Sequence, residues 1–197
     1  VIGNDLVVWQ ALPGKSEERW QRYANRILHP SEQPCWQKLN LPSHLIMLWW
    51  AAKEASYKSW RASGGARLFQ PKSFVLQNLK LQENEACFTV EKEGQFSEGQ
   101  TEFNTKYLFS RVWPQGRSQN MVSQLGTDTV DPSAQMRTNL LENLATKHGW
   151  GLDRLSCRQN QLGVPVAYLD QKPLPLSLSF SHHGTYWAYS YVYRQRP

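Results

Sequence analysis

The stretch Trp50-Ala51-Ala52-Lys53-Glu54-Ala55-Ser56-Tyr57-Lys58 decides the reading of this chain. Leu45, Leu48, Trp49, Ala52, Ala55 and Ser56 recur at helical spacing. Ser43 after Pro42 supplies a start, and Ser63-Gly64-Gly65 supplies a stop. The spacing predicts a helix running to about Trp60. On it Glu54 shares a face with Tyr57, Lys58 and Arg61, while Lys53 aligns with Tyr57 and Trp60. One reading of Glu54 and Lys58 is an ordinary surface ion pair, which contributes a few tenths of a kcal/mol. The tryptophans just before it favour another. The helix is at least half buried, and a carboxylate in such a setting calls for a cation.

Working outward, Ile2 to Trp9, after the apolar opening Val1-Ile2-Gly3-Asn4-Asp5-Leu6-Val7-Val8, reads as a buried strand that Leu12-Pro13-Gly14 ends. Asp5 is a lone carboxylate in apolar surroundings, either a strand-end turn residue or a metal ligand facing Glu54. A carboxylate pair of this kind can hold Mg²⁺ against a phosphate, and flanking lysines can neutralise phosphate oxygens. Between strand and helix, Ser16 is the expected cap of a helix carrying Trp20, Tyr23, Ala24, Ile27 and Leu28, which His29-Pro30 stops.

After the central helix the pattern turns to strands. They are expected at Phe74–Leu76, Leu79–Leu81, Ala86–Val90 and Tyr107–Phe109. Pro114 to Pro132 is rich in Gly, Ser, Gln, Asp and Thr, so a linker is expected over 114–132. Ser133 then caps a helix with Met136, Leu140, Leu141 and Leu144, and strands follow around 155–157, 164–169, 176–180 and 187–193. The order predicts an α+β fold with two lobes, over residues 1–113 and 133–197.

Composition bounds the function. The 197 residues can bury one good core or two small lobes, and 40% hydrophobic content with nine Trp, eight Tyr and seven Phe excludes a disordered chain. The longest apolar run, Leu45–Ala52, is far short of the roughly 20 residues of a membrane span. The first residues lack a basic segment leading into an apolar one, so no signal peptide is expected. The chain opens directly in a strand-like run, which leaves room for native residues before Val1. Cys35, Cys87 and Cys157 form no CxxC or Cys/His cluster, so neither a disulfide framework nor zinc is expected, and a cytoplasmic protein is. The net charge of +6 suits polyanionic ligands or acidic partners.

Gly3-Asn4-Asp5 and Trp50–Lys58 together resemble the 4′-phosphopantetheinyl transferases, which show Gly-x-Asp at a strand end and then Trp-x-x-Lys-Glu-(Ala/Ser)-x-x-Lys. The segment from Arg22 to Glu32 resembles the family's intervening stretch, and Arg67–Phe74 is similar to the one that follows in larger members. Arg137-Thr138-Asn139-Leu140-Leu141, Gly163-Val164-Pro165 and Ser179-Phe180-Ser181-His182-His183-Gly184 resemble the N-terminal lobe of the larger, surfactin-synthetase-activating type. In that type this lobe precedes the Gly-x-Asp strand, whereas here it follows. The resemblance implies a two-lobed pseudo-dimer with lobes in swapped order, as in a circular permutation. Each lobe would be helices packed on a small, mostly antiparallel sheet. Three positions depart from the pattern: Asn4 stands where Ile or Val is usual, Val7 where the larger type has a third acid, and His183 where Ser is usual.

The resemblance further implies transfer of 4′-phosphopantetheine from coenzyme A to a serine of an acyl or peptidyl carrier protein. Asp5 and Glu54 would hold Mg²⁺, and Glu54 would take the serine proton. Lys58 and Lys53 would neutralise and position the pyrophosphate, while His182, Arg137 and Ser181 would grip the cofactor from the other lobe. A monomer is expected. Two alternatives stay open: a degenerate member that binds coenzyme A or a carrier without turnover, and a basic aromatic protein that binds single-stranded nucleic acid. The absence of any block of Lys/Arg weighs against the second.

Overall fold

A computed structural model of the protein describes residues 1–12, 14, 16–116 and 120–194. The apolar opening forms strand β1 (Gly3–Val8). Helices α1 (Glu17–Ile27), α2 (Gln33–Leu39) and α3 (Ile46–Ala62) follow. Strands β2 (Val75–Leu81), β3 (Glu85–Lys92), β4 (Gln95–Phe103) and β5 (Tyr107–Pro114) then complete an antiparallel sheet in the order β1-β5-β4-β3-β2. One core, with Trp20, Ile27, Trp49, Ala52, Phe74 and Leu108, joins α1 and α3 to this sheet. The two runs expected around 74–81 are a single strand, β2, whose register shifts between Gln77 and Lys80, with Asn78 at φ 53°. Pro13, expected to end β1, lies outside the described residues.

The 114–132 stretch is more than a linker. It contributes strand β6 (Val122–Thr127), the third strand of a sheet ordered β10-β11-β6. Its residues 117–119 lie outside the described residues. Gly126 disguised this strand in the sequence: a Cβ there would sit 2.3 Å from Trp187 Cζ2, so the close-packed indole requires glycine. Helix α4 (Pro132–His148) begins one residue before the expected cap. Asp131 is the cap, accepting from Ala134 N–H at 2.8 Å, and Ser133 lies inside the first turn. Strands β7 (Leu155–Gln159), β8 (Pro165–Leu169) and β9 (Lys172–Pro173) form a small sheet, and β10 (Leu176–His183) pairs with β11 (Tyr186–Tyr193). Met136, Leu140, Leu144, Leu178, Trp187 and Tyr189 form a second core. The protein is thus α+β, with small antiparallel sheets and, among the described residues, two larger cores and a small third cluster of Leu6, Phe109 and Ala188. No helix among the described residues is long and apolar enough to cross a membrane.

The lobes meet where β1 would otherwise present an open sheet edge. β10 covers it with side chains rather than backbone. Ser177 Oγ accepts from Ile2 N–H at 2.9 Å, Ser179 Oγ from Asn4 N–H at 2.9 Å, and His183 Nδ1 from Val8 N–H at 2.9 Å. The constant offset of 175 means that β1 and β10 run side by side in the same direction. The end of β11 lies here too: Tyr193 pairs with Leu176, next to the Ser177 that binds Ile2.

Candidate active site

The geometry starts from Gly3. A Cβ at this position would fall 1.9 Å from the Ala55 carbonyl oxygen, so glycine is what lets α3 lie directly on β1. Alternation along the strand puts Asp5 on the same side. The Lys58 ammonium crosses the narrow gap, donating to Asp5 Oδ1 at 2.8 Å and to the Asn4 carbonyl at 2.9 Å. The within-helix pairing with Glu54 read from the spacing gives way to this bridge between elements. Glu54 stands beside the bridge. Burial and then the Asp5 carboxylate push its carboxyl up to about 7, with Lys58 opposing. Burial, followed by Glu54 and Asp5, raises the Tyr23 phenol of α1 as well, so three oxygen-bearing side chains crowd together. Tyr23 is a neighbour that sequence spacing alone did not single out.

From Lys58 a cleft of about 530 Å³ opens between the lobes. Lys58, Arg61 and Arg67 line it from the first lobe, and Arg137, Phe180 and His182 from the second, with Gly163-Val164-Pro165 on its wall. Among the described residues its lining holds four Lys/Arg side chains and no Asp or Glu. Arg137 is aimed by its own helix, donating to Ser133 O at 3.1 Å and Ser133 Oγ at 2.8 Å. Arg61 donates to Leu162 O at 2.9 Å and so ties α3 to the second lobe. The sequence placed Arg61 on the Glu54 face but gave no sign that Arg67 joins it.

The expected site residues divide accordingly. Lys58, Arg137 and His182 come together in the cleft, and Asp5 is joined to it through Lys58. Glu54 is not among the cleft-lining residues and sits behind them with Asp5. Lys53 corrects the expectation outright. Its side chain is 0% exposed and its ammonium lies 2.6 Å from Glu32 Oε2, so it cannot touch a ligand in the cleft. Ser181 is corrected too. It shares the β1-facing side of β10 with Ser177, Ser179 and His183, is 5% exposed, and its Oγ has no hydrogen-bond partner among the described residues.

The three departures from the family pattern belong to packing. Asn4 is fully buried, its amide donating to Ser190 Oγ at 3.3 Å and its Oδ1 accepting from Ser179 Oγ at 3.0 Å. Val7 is in the first core, and His183 holds the end of β1. The acceptor role of Nδ1 keeps that imidazole neutral, consistent with burial lowering its pKa.

Two carboxylates with no third acid beside them suit Mg²⁺, which keeps waters and takes phosphate oxygens to complete six ligands. Among the described residues there is no cluster of three or more His, Cys, Asp or Glu that would make an all-protein metal cage. The raised Glu54 carboxyl fits the same reading, since burial first and the neighbouring Asp5 carboxylate second disfavour its charge, which a bound cation would offset.

A carboxylate pair behind a cationic cleft between two lobes is an arrangement chemically suited to a phosphorylated ligand. The family comparison makes this specific: residues 1–113 match the model of the 4′-phosphopantetheinyl transferase superfamily. The chain belongs to that superfamily. Comparisons with curated proteins and with solved structures give no match.

Proposed function

We propose that the protein transfers the 4′-phosphopantetheine group of coenzyme A to a serine hydroxyl of an apo carrier protein, leaving adenosine 3′,5′-bisphosphate. The observation that carries this is the cleft itself, opening beside Asp5 and Glu54 and lined, among the described residues, by four Lys/Arg side chains and His182 with no acid. Coenzyme A presents a pyrophosphate and a 3′-phosphate, and such a cleft offers fixed positive charge to both. Arg137 and His182 would grip the nucleotide from the second lobe, with Arg61 and Arg67 facing them. Lys58 lines the cleft while bonded to Asp5, and would neutralise charge that builds on the pyrophosphate as the bond breaks.

In the proposed step the serine oxygen bonds to the phosphorus that carries the pantetheine arm. The bond from that phosphorus to the bridging pyrophosphate oxygen breaks, and the electron pair leaves with the adenosine bisphosphate. Glu54, directly or through a water, takes the serine proton. A carboxyl poised near neutrality is well matched to that task. Asp5 and Glu54 are the residues that would hold Mg²⁺, which when bound supplies charge neutralisation at the pyrophosphate. The remaining catalysis is positioning, as expected for phosphoryl-type transfer.

The carrier would approach α1. Arg19, Arg22 and Arg26 are exposed at spacings that put them on one face of this helix, close to Tyr23 and hence to the carboxylates. An acidic partner would be steered to such a stripe. The second-lobe resemblances support reading the chain as the larger, two-lobed type with its lobes in swapped order. Carrier-dependent release of adenosine 3′,5′-bisphosphate from coenzyme A tests the proposal. Release is expected only when protein, coenzyme A, Mg²⁺ and apo carrier are all present. Tight binding of coenzyme A with no release would leave a binding protein in its place.

A further inference from the structure

Lys53 and Glu32 form a pair with side chains 0% and 1% exposed, Nζ lying 2.6 Å from Oε2. Such a pair is an expensive way to fill a core, because removing both ions from water offsets most of their attraction. What distinguishes this one is how many elements it ties together. Glu32 Oε2 also accepts from His29 N–H at 2.5 Å, and Oε1 accepts from Leu76 N–H of β2 at 2.7 Å. Lys53 Nζ donates to the carbonyl of Ile27, the last residue of α1, at 3.0 Å. One ion pair therefore joins the end of α1, the turn after it, β2 and the middle of α3.

Lys53 is the residue before Glu54, so the direction of one fixes that of the other. Adjacent helix positions differ by roughly 100° of rotation. With Lys53 anchored toward Ile27 and Glu32, Glu54 is turned toward Asp5 and Tyr23. Apolar residues could fill the same volume, but they would not specify the height or rotation of α3 through directed bonds to three other elements.

We propose that Glu32 and Lys53 are positioning residues: the buried pair sets the rotation and height of α3 so that Glu54 stands beside Asp5. This rests on the transferase reading. Neither residue touches the substrates. Both act through Glu54, and their loss lowers turnover in a protein that remains folded.

The test compares wild type with the double variant Glu32→Gln/Lys53→Met, which removes both charges together. Turnover is measured well below the melting temperature, with circular dichroism confirming the folded state. The expected result is a fall in kcat on the order of 10- to 100-fold, the scale of a small misplacement of reacting groups, with KM for coenzyme A within about twofold. The ratio to wild type should stay constant across temperatures at which both proteins are folded. If the double variant does not fold, Lys53→Met alone carries the same comparison, since Glu32 keeps its two backbone N–H partners. A folded variant with wild-type kcat overturns the positioning role and leaves the transferase reading intact. So does a loss that follows the unfolded fraction. A wild type that transfers nothing overturns both.

Discussion

Lys58 of α3 and Asp5 of β1 are held 2.8 Å apart across a strand–helix contact that tolerates no side chain at Gly3. The same ammonium lines the cleft between the lobes. One cation therefore connects the carboxylates to the surface on which a phosphorylated ligand would lie. The pair is partly open to solvent, with side-chain exposures of 29% and 13%, so its contribution to stability is expected to be modest, about 1 kcal/mol or less.

Lys58→Ala should accordingly weaken coenzyme A binding by about tenfold or more, equivalent to 1.4 kcal/mol, while the melting temperature moves by only a few degrees. Calorimetric titration with coenzyme A checks this. Unchanged affinity together with a large loss of thermal stability would make Lys58 a structural residue only.

Glu54 gives a pH signature. Its carboxyl is raised from 4.5 to about 7 in the folded protein, so between these values the folded state binds more protons than the unfolded chain. Stability therefore falls as pH rises through that window, and the full penalty is present above it. Glu54→Gln removes the penalty. Without Mg²⁺ the variant should match wild type at low pH and exceed it above neutrality by about 1–3 kcal/mol. Urea denaturation across pH measures the difference. Added Mg²⁺ should raise the melting temperature of wild type at pH above 7 and leave Glu54→Gln nearly unmoved.

Gly3→Ala should be among the most damaging small substitutions. The new methyl would meet the Ala55 carbonyl at 1.9 Å and the Ser59 amide nitrogen at 2.8 Å, both backbone atoms. Relief requires α3 to move off β1, costing about 1–3 kcal/mol or more. The same movement lengthens the Lys58–Asp5 bridge. Denaturation and turnover should both suffer, and wild-type values for both would contradict the close-approach account.

What the sequence disclosed, and what it hid, follows from range. Glu54 and Lys58 are one helical turn apart, so their common face was legible from spacing. The partner of Lys58 was not, because Asp5 lies 53 positions away and only the packing at Gly3 brings it near. Lys53 was misplaced for the same reason: nothing local to the helix reveals Glu32, 21 positions earlier. The motif Ser179-Phe180-Ser181-His182 carried its alternation openly, and that alternation puts Ser181 toward β1, while His182 lines the cleft. Strand β6 escaped notice because Gly126 serves a tryptophan rather than a turn.

Reversing charge at Arg22 and Arg26 of α1 should separate carrier recognition from cofactor binding. Both side chains are exposed, and neither is in an ion pair among the described residues. Arg22→Glu/Arg26→Glu should raise KM for an acidic carrier by about tenfold and leave the affinity for coenzyme A within about twofold. Added salt should shrink the gap to wild type, as screening removes long-range attraction. Equal loss toward both substrates would move the docking face elsewhere.

In the proposed reaction a carboxylate pair on β1 and α3, served by a cationic cleft, moves phosphopantetheine onto a carrier serine. Its most direct measurement is the intact mass of an apo carrier protein after incubation with this protein, coenzyme A and Mg²⁺, run beside Glu54→Gln and beside a carrier whose acceptor serine is alanine. The expected result is a mass gain of one phosphopantetheine group for wild type, almost none for Glu54→Gln, and none for the alanine carrier. An unchanged carrier mass with folded wild-type protein, or an equal gain with Glu54→Gln, would contradict it.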